Sequence, residues 1–447
     1  MKKYEVIIIG AGPAGYQAAL ELGRAGIKTL LVERSKERIG GTCLNVGCIP
    51  TKNYLESASF VSKIPYFRLC GVDLDFQGLD IKQLQEKTAA LITEIRTGVL
   101  WMLEQSKVDI LYGDAHFIDS KTVEVDDQTI LFENSIIATG SVSRQLDQLP
   151  MDADSIISSS DVFALNTLPK SIAIIGVGAI GCEMATFFNA MGVAVTLIGH
   201  SPRLIPNEDA DISKVLLRSF KKANIKVLLS TTITQVYIGD DGVELQLKES
   251  DDTIYSQLVL SATGRIPYSD GLGLENADVK QDERGFVEVS PSFRTSQEHI
   301  YAIGDCIDTP AFAHTAYAEA KIAAQNIINS QSKTNTHLTP STIFTHPPIA
   351  SCGLKESEAK EQEIDIEIKK AYFKVNAKAK ILGDDAGFAK VIISAKSEVI
   401  LGASIIGVES TEIIHELLLA IEKELTIREV REILHAHPTV SEIVTYL

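Results

Sequence analysis

One pattern constrains this chain more than any other: a glycine-rich unit that occurs twice, 166 positions apart. Residues 4–34 read YEVIIIGAGPAGYQAALELGRAGIKTLLVER, and residues 170–200 read KSIAIIGVGAIGCEMATFFNAMGVAVTLIGH. The shift carries Gly10, Gly12, Gly15 and Gly26 onto Gly176, Gly178, Gly181 and Gly192. Each copy reads as a β-branched strand, a G-x-G-x-x-G turn, an amphipathic helix and a second strand. That is the βαβ unit that holds a dinucleotide. The first glycine permits the tight turn, the second lets backbone approach a pyrophosphate, and the third lets helix and strand pack closely. The diphosphate then meets the unsatisfied N–H groups at the positive end of the helix. Glu33 ends the second strand of the first copy, where it can accept from ribose hydroxyls. The same shift places Gly199 opposite Glu33, with His200 and Arg203 just after it.

Composition removes several other classes. At 447 residues the chain is long enough for about three domains. Apolar residues make up 45% and charged residues 23%, an ordinary globular balance. The formal net charge is −17, with no basic block, which argues against a nucleic-acid partner. No apolar run is long enough for a membrane span. The first apolar run is short and passes into glycines, so a strand is expected there rather than a secretory signal. Six cysteines are too sparse for a secreted disulfide framework, and a cytoplasmic chain is expected.

Residues 82–105 have helical apolar spacing, and 108–140 alternate like a β-meander ending in IIATGS. Residues 141–169 are polar and irregular. LVLSATGR (258–265) and HIYAIGD (299–305) read as buried strands closed by glycine, and a helix is expected over 315–329. The last hundred residues mix strands at 388–394 and 400–406 with helices at 411–424 and 426–434.

The segment GGTCLNVGCIPTK, residues 40–52, holds the cysteine pair closest in sequence, Cys43 and Cys48. On a regular helix five residues give a Cα separation of roughly 8.6 Å, beyond the ~7 Å that a disulfide spans. A bond between them therefore requires a distorted segment, and Gly47 and Pro50 supply reasons for distortion. A redox pair, a metal half-site and two inert thiols are all compatible with these residues. A zinc site would need further ligands at suitable spacing, and none lies nearby, so no metal is expected.

Together with the repeat, GGTCLNVGCIPTK resembles the redox-active motif of the flavoprotein pyridine nucleotide–disulfide oxidoreductases, within them the dihydrolipoamide dehydrogenases. The resemblance covers essentially the whole chain. It includes ATG at 138–140, ATGR at 262–265, YAIGD at 301–305 followed by AHTAYAE, NAKAK at 376–380, LGASIIG at 401–407 and HAHPTVSE at 435–442. It implies an α/β fold with two Rossmann-like dinucleotide-binding domains plus a C-terminal α+β dimerisation domain. The implied parts are an FAD domain (1–146), an NAD(P) domain (147–268), a central segment completing the FAD domain (269–335) and an interface domain (336–447).

The resemblance also implies roles. One FAD per subunit would lie on Gly10, Gly12 and Gly15, with Glu33 on the adenosine ribose and Asp305 near the ribityl chain. Thr42, Gly140 and Ala313 would line the same site. Cys48 would be the charge-transfer thiolate against the flavin, and Cys43, farther out, would exchange with the dithiol. Lys52 would sit near the flavin and pair with Glu183. From the residues alone, Lys52 reads as a solvated lysine and Glu183 as part of an exposed helix face. His437 would be the base and Glu442 would orient it, both serving the partner subunit's cysteines in an obligate homodimer, while His435 reads as a packing residue. NAD or NADP would bind Gly176, Gly178, Gly181 and Gly264. Gly199, His200 and Arg203 bear on the choice between them. NAD is the coenzyme that the resemblance implies, the missing carboxylate predicts measurable NADPH use with relaxed selectivity, and Gly199→Glu is expected to shift preference further toward NADH.

The implied activity is oxidation of dihydrolipoamide by NAD, with free dihydrolipoamide or a lipoyl domain of a 2-oxoacid dehydrogenase complex as partner. The alternative is an NAD(P)H-dependent reductase of a disulfide, a metal ion or a quinone. Mercuric reductases carry a C-terminal cysteine pair, whereas this chain ends EIVTYL. Glutathione reductases are less favoured by CIPTK and HAHPT, and a non-redox role is disfavoured because both cysteines are present. The chain opens directly on the first strand, so no fused lipoyl domain is expected.

Overall fold

The computed structural model describes residues 2–248 and 252–447. The chain forms two compact units. One comprises residues up to Thr51, Lys82–Arg144 and Gly264–Thr336; the other comprises Lys52–Ile81, Gln145–Thr263 and His337–Leu447.

The first unit is built on a seven-stranded sheet. Its leading strand, Lys2–Ile9, pairs in parallel with Thr29–Glu33 on one side and Gln128–Ile137 on the other. Helix Pro13–Arg24 makes the crossover. All but one of Val6, Ile7, Ile8 and Ile9 are fully buried, as a strand covered on both faces requires. The expected meander is only partly formed. Asp109–Tyr112 pairs in parallel with Thr29–Glu33 instead, and the antiparallel run is Ala115–Asp119, Thr122–Val125 and Gln128–Ile137. Strand Ile300–Ala302 joins the sheet beside Gln128–Ile137. Helix Ala313–Asn329 packs on Pro13–Arg24.

The second unit carries a five-stranded parallel sheet in the order 226–228, 194–198, 171–175, 258–261, 156–158. Helix Ala179–Ala190 makes its crossover. A five-stranded antiparallel sheet, 341–343, 349–353, 400–406, 388–394, 366–372, forms the C-terminal part with helix Ser410–Glu422 packed on it. The segment 141–169, read as irregular, contributes Ser141–Ser143 and Ile156–Ser158 to sheets. No helix among the described residues is long and apolar enough to cross a membrane.

Within the second unit, Lys390 is fully buried among three carboxylates. Its Nζ lies 2.7 Å from Asp209, 2.9 Å from Asp211 and 2.6 Å from Glu356. The acid groups have the spacing of a cation site, and the chain's own ammonium holds them together. Burial disfavours that ammonium, but Asp209 and Glu356 outweigh burial and raise its pKa. Burial likewise opposes ionisation of Asp211, but Lys370 and Lys390 hold its carboxyl below the usual range. Lys390→Met leaves buried Asp209 without its ammonium, while Asp211 keeps Lys370, and the expected loss is about 3–5 kcal/mol, read from the urea midpoint. The sign with pH follows. The share of the Asp211 increment that Lys390 supplies beside Lys370 is complete above the ordinary carboxylate pKa and is lost as pH falls through the lowered value. The deficit of the variant should therefore shrink in acid. A deficit that is constant with pH would assign Lys390 to packing alone.

Candidate active site

The redox segment is two helices broken between the cysteines. Helix Gly41–Val46 carries Cys43, Gly47 leaves helical geometry with φ −132° and ψ −117°, and helix Cys48–Leu69 begins at Cys48. Gly47 is the distortion that the spacing requires. Pro50 is not, because it sits in the first turn, where a proline interrupts no helical bond. Residue 47 must also be small. A Cβ there would lie 2.7 Å from the Thr42 carbonyl oxygen and 3.1 Å from the Cys43 Cα. Cys43 is half-buried and Cys48 exposed. Asn45 braces the turn by donating to the Gly41 carbonyl at 2.8 Å and accepting from Arg96 at 2.6 Å.

The glycine turn lies directly beside this segment. Gly40 N–H donates to the Ala11 carbonyl at 2.8 Å, and a Cβ on Gly41 would reach 2.6 Å from the Gly12 Cα. Gly10 has φ +102°, and a Cβ there would strike the Ala138 carbonyl at 2.4 Å. A Cβ on Gly15 would be 1.7 Å from the Gly10 carbonyl oxygen. Gly12 is different: the nearest atom to a Cβ there is 3.8 Å away, and no side chain caps the helix. The helix N-terminus is thus uncapped by a side chain and uncrowded at Gly12, as a pyrophosphate requires. Glu33 Oε2 accepts the Ala11 N–H at 2.9 Å, which aims the carboxylate across the turn. Asp305 accepts from Ser141 Oγ at 2.6 Å, and Ser141 accepts from Arg265 at 2.7 Å. Gly304, just before Asp305, donates to buried Glu319 at 2.7 Å, and burial raises that carboxyl's pKa. Gly140 has φ +74° with open space around it, and Ala313 opens its helix. These residues fit an FAD.

Sequence reasoning missed a pair of tyrosines here. Tyr16 and Tyr317 share a hydrogen bond of 2.5 Å between their hydroxyls. Burial pushes both phenols up, and the charge of Cys43 adds to it. A tyrosine one residue past Gly15 and another in AHTAYAE were the available signals.

Lys52 and Glu183 come together in the second unit. Lys52 Nζ lies 3.0 Å from both Glu183 oxygens, and Glu183 is 4% exposed. The reading of Glu183 as an exposed helix position is therefore corrected. Its helix is apolar on nearly all sides, and its carboxylate faces Lys52 and the Phe344 N–H, which donates at 2.9 Å. The Phe344 ring lies under the ammonium at 4.6 Å. Glu442 accepts the Thr439 N–H at 2.8 Å and meets His437 Nδ1 at 2.9 Å. The Thr439 N–H, then His437, hold its carboxyl below the usual range. His435 instead bonds Glu416 at 2.9 Å and is nearly buried, as a packing residue is.

The second glycine turn repeats the first. A Cβ on Gly176 would lie 2.1 Å from the Ala262 carbonyl, and one on Gly181 would lie 1.9 Å from the Gly176 carbonyl. Gly178 and Gly264 face open space. Arg203 donates to the Pro206 carbonyl at 2.6 Å, and His200 is exposed.

This geometry defines a redox protein with two nucleotide cradles, one beside a cysteine pair. The pyridine nucleotide–disulphide oxidoreductase model matches residues 4–320, and the dimerisation domain of the same family matches 339–447. The chain belongs to that family, a class of FAD-dependent enzymes that exchange electrons between a disulfide and a nicotinamide. It is 37% identical to a dihydrolipoyl dehydrogenase of Buchnera aphidicola, over 99% of this chain and 94% of the relative. It is 35% identical to one from Geobacillus stearothermophilus, over 98% and 94%. Among solved structures it resembles the HOCl-induced flavoprotein disulfide reductase RclA of Escherichia coli, with TM-score 0.89 and 25% identity over 99% of this chain and 98% of that one.

Proposed function

We propose that the chain is a dihydrolipoamide dehydrogenase, working as a homodimer in which His437 and Glu442 of one subunit serve the cysteine pair of the other. The His437–Glu442 contact of 2.9 Å carries this reading, because a dithiol substrate needs a base and a metal ion or quinone does not. With Nδ1 donating to Glu442, His437 presents Nε2 to take a proton. The full-length relatives named dihydrolipoyl dehydrogenase support the same substrate.

In the proposed cycle, Cys43 and Cys48 alternate between disulfide and dithiol. His437 takes the proton of one substrate thiol, since the thiolate is the nucleophile. That thiolate attacks Cys43 Sγ, the Cys43–Cys48 bond breaks, and Cys48 leaves as a thiolate. The second substrate thiol attacks the substrate sulfur bound to Cys43, and its proton passes to the Cys43 sulfur as that leaves. The cyclic disulfide forms and Cys43 is released. Gly10, Gly12, Gly15, Glu33, Thr42, Gly140, Asp305 and Ala313 would hold the FAD. The chemistry it supplies when bound is the two-electron relay between the dithiol and the nicotinamide. Lys52 would place a positive charge near it, held by Glu183. A lipoyl domain of a 2-oxoacid dehydrogenase complex is the proposed macromolecular partner.

The test compares initial rates with dihydrolipoamide, glutathione disulfide and metal ions, each with both nicotinamides. Dihydrolipoamide should lead in kcat/KM by about 100-fold or more, the discrimination a matched site gives. Faster reduction of a metal ion or of glutathione disulfide would replace this reading with the reductase alternative.

A further inference from the structure

The two nucleotide-binding halves share one register. Ile9 pairs with Val32 as Ile175 pairs with Ile198. Gly10 donates to the Val32 carbonyl and Gly176 to the Ile198 carbonyl, both at 2.8 Å. Gly199 therefore stands in the place of Glu33, and Val177 in the place of Ala11. In the first half the small Ala11 leaves room beside its own N–H, and the Glu33 carboxylate takes that N–H at 2.9 Å. In the second half the sizes are exchanged. A Cβ on Gly199 would lie 2.6 Å from both methyls of Val177 and 3.1 Å from its Cβ. Val177 is 5% exposed, and its carbonyl is held by the Ile205 N–H at 2.8 Å. Turning χ1 by a third of a circle exchanges one of those methyls for hydrogen and leaves the other in place, and a β-branched side chain resists even that. The wall that is a carboxylate in the first cradle is a packed isopropyl group in the second.

We propose that the Val177–Gly199 pair sets the coenzyme selectivity of the second cradle, so that it takes a 2′-phosphorylated dinucleotide about as well as the unphosphorylated one. The pair removes the group that would accept from a ribose 2′-hydroxyl and repel a 2′-phosphate. This rests on reading the second cradle as the nicotinamide site. It also corrects the expectation for Gly199→Glu: the backbone register permits the new side chain, but Val177 occupies its path.

The test uses the flavin-loaded protein and calorimetric binding of ADP-ribose and 2′-phospho-ADP-ribose, which lack the nicotinamide and so report the cradle without turnover. Wild type should bind the two within about 10-fold of each other, there being no carboxylate to separate them. Gly199→Glu alone should leave that ratio unchanged. The double variant Val177→Ala with Gly199→Glu should favour ADP-ribose by about 30-fold, the value of one charge-assisted hydrogen bond. Val177→Ala alone, at the wild-type ratio and with full flavin content, shows that the fold tolerates the change. A wild type that rejects the 2′-phosphate by more than about 100-fold would overturn the proposal. So would a Gly199→Glu variant that discriminates as well as the double. If wild type binds neither fragment, the reading of the cradle itself fails, a result distinct from a wrong ratio.

Discussion

Replacing Cys48 by serine should lower lipoamide turnover by about 10⁴-fold or more, as loss of an obligatory covalent group does, while FAD stays bound. Cys48 opens its helix directly after the break at Gly47, and its side chain is exposed, so serine fits without disturbing the core. The residues proposed to hold the flavin, Gly10, Gly12, Gly15, Glu33, Thr42, Gly140, Asp305 and Ala313, are all retained, and serine keeps the size of the side chain proposed to lie against it. What disappears is the proposed leaving group: without the Cys48 sulfur no disulfide exists for the substrate thiolate to break. Flavin absorbance at full occupancy, measured together with dihydrolipoamide oxidation, checks both halves of the expectation. Turnover near wild type with flavin bound would remove the cysteine pair from the mechanism.

The second large effect is expected from His437→Ala. The dithiol half-reaction should slow by about 10²–10⁴-fold, the usual contribution of a positioned acid–base group. Flavin reduction by NADH, which uses no thiol base, should change far less. His437 is 71% exposed in the single chain, and when alanine replaces it the Glu442 carboxylate, 13% exposed, keeps the Thr439 N–H as a donor. Rapid-mixing measurements of the two half-reactions decide the matter. Equal losses in both would mean that the change damages assembly rather than proton transfer.

Much of this was legible in the residues. Histidines 435 and 437 are the same residue type two positions apart, yet one is 7% exposed against Glu416 and the other is 71% exposed against Glu442. The resemblance of HAHPTVSE to the family's motif separated them in advance; the two histidines read alone do not. The break at Gly47 was also legible, since two cysteines five apart cannot meet on a regular helix. The burial of Glu183 was not. Its partners, Lys52 and the Phe344 N–H, are 131 and 161 residues away, and no local period announces them. Lys390 was passed over for the same reason: its acids lie on residues 209, 211 and 356, and only the folded chain gathers them.

The sequence by itself determined the two nucleotide cradles, because their requirements are local. A positive φ at Gly10 and backbone contact at Gly15 demand glycine within six residues, and the same demand recurs at Gly176 and Gly181. Tertiary structure alone decided what surrounds those cradles. Whether residue 199 can carry a carboxylate depends on the methyls of Val177, 22 positions earlier and on a neighbouring strand end. A side chain's room is set by whatever the fold packs against it, and that contact has no signature in either residue read alone.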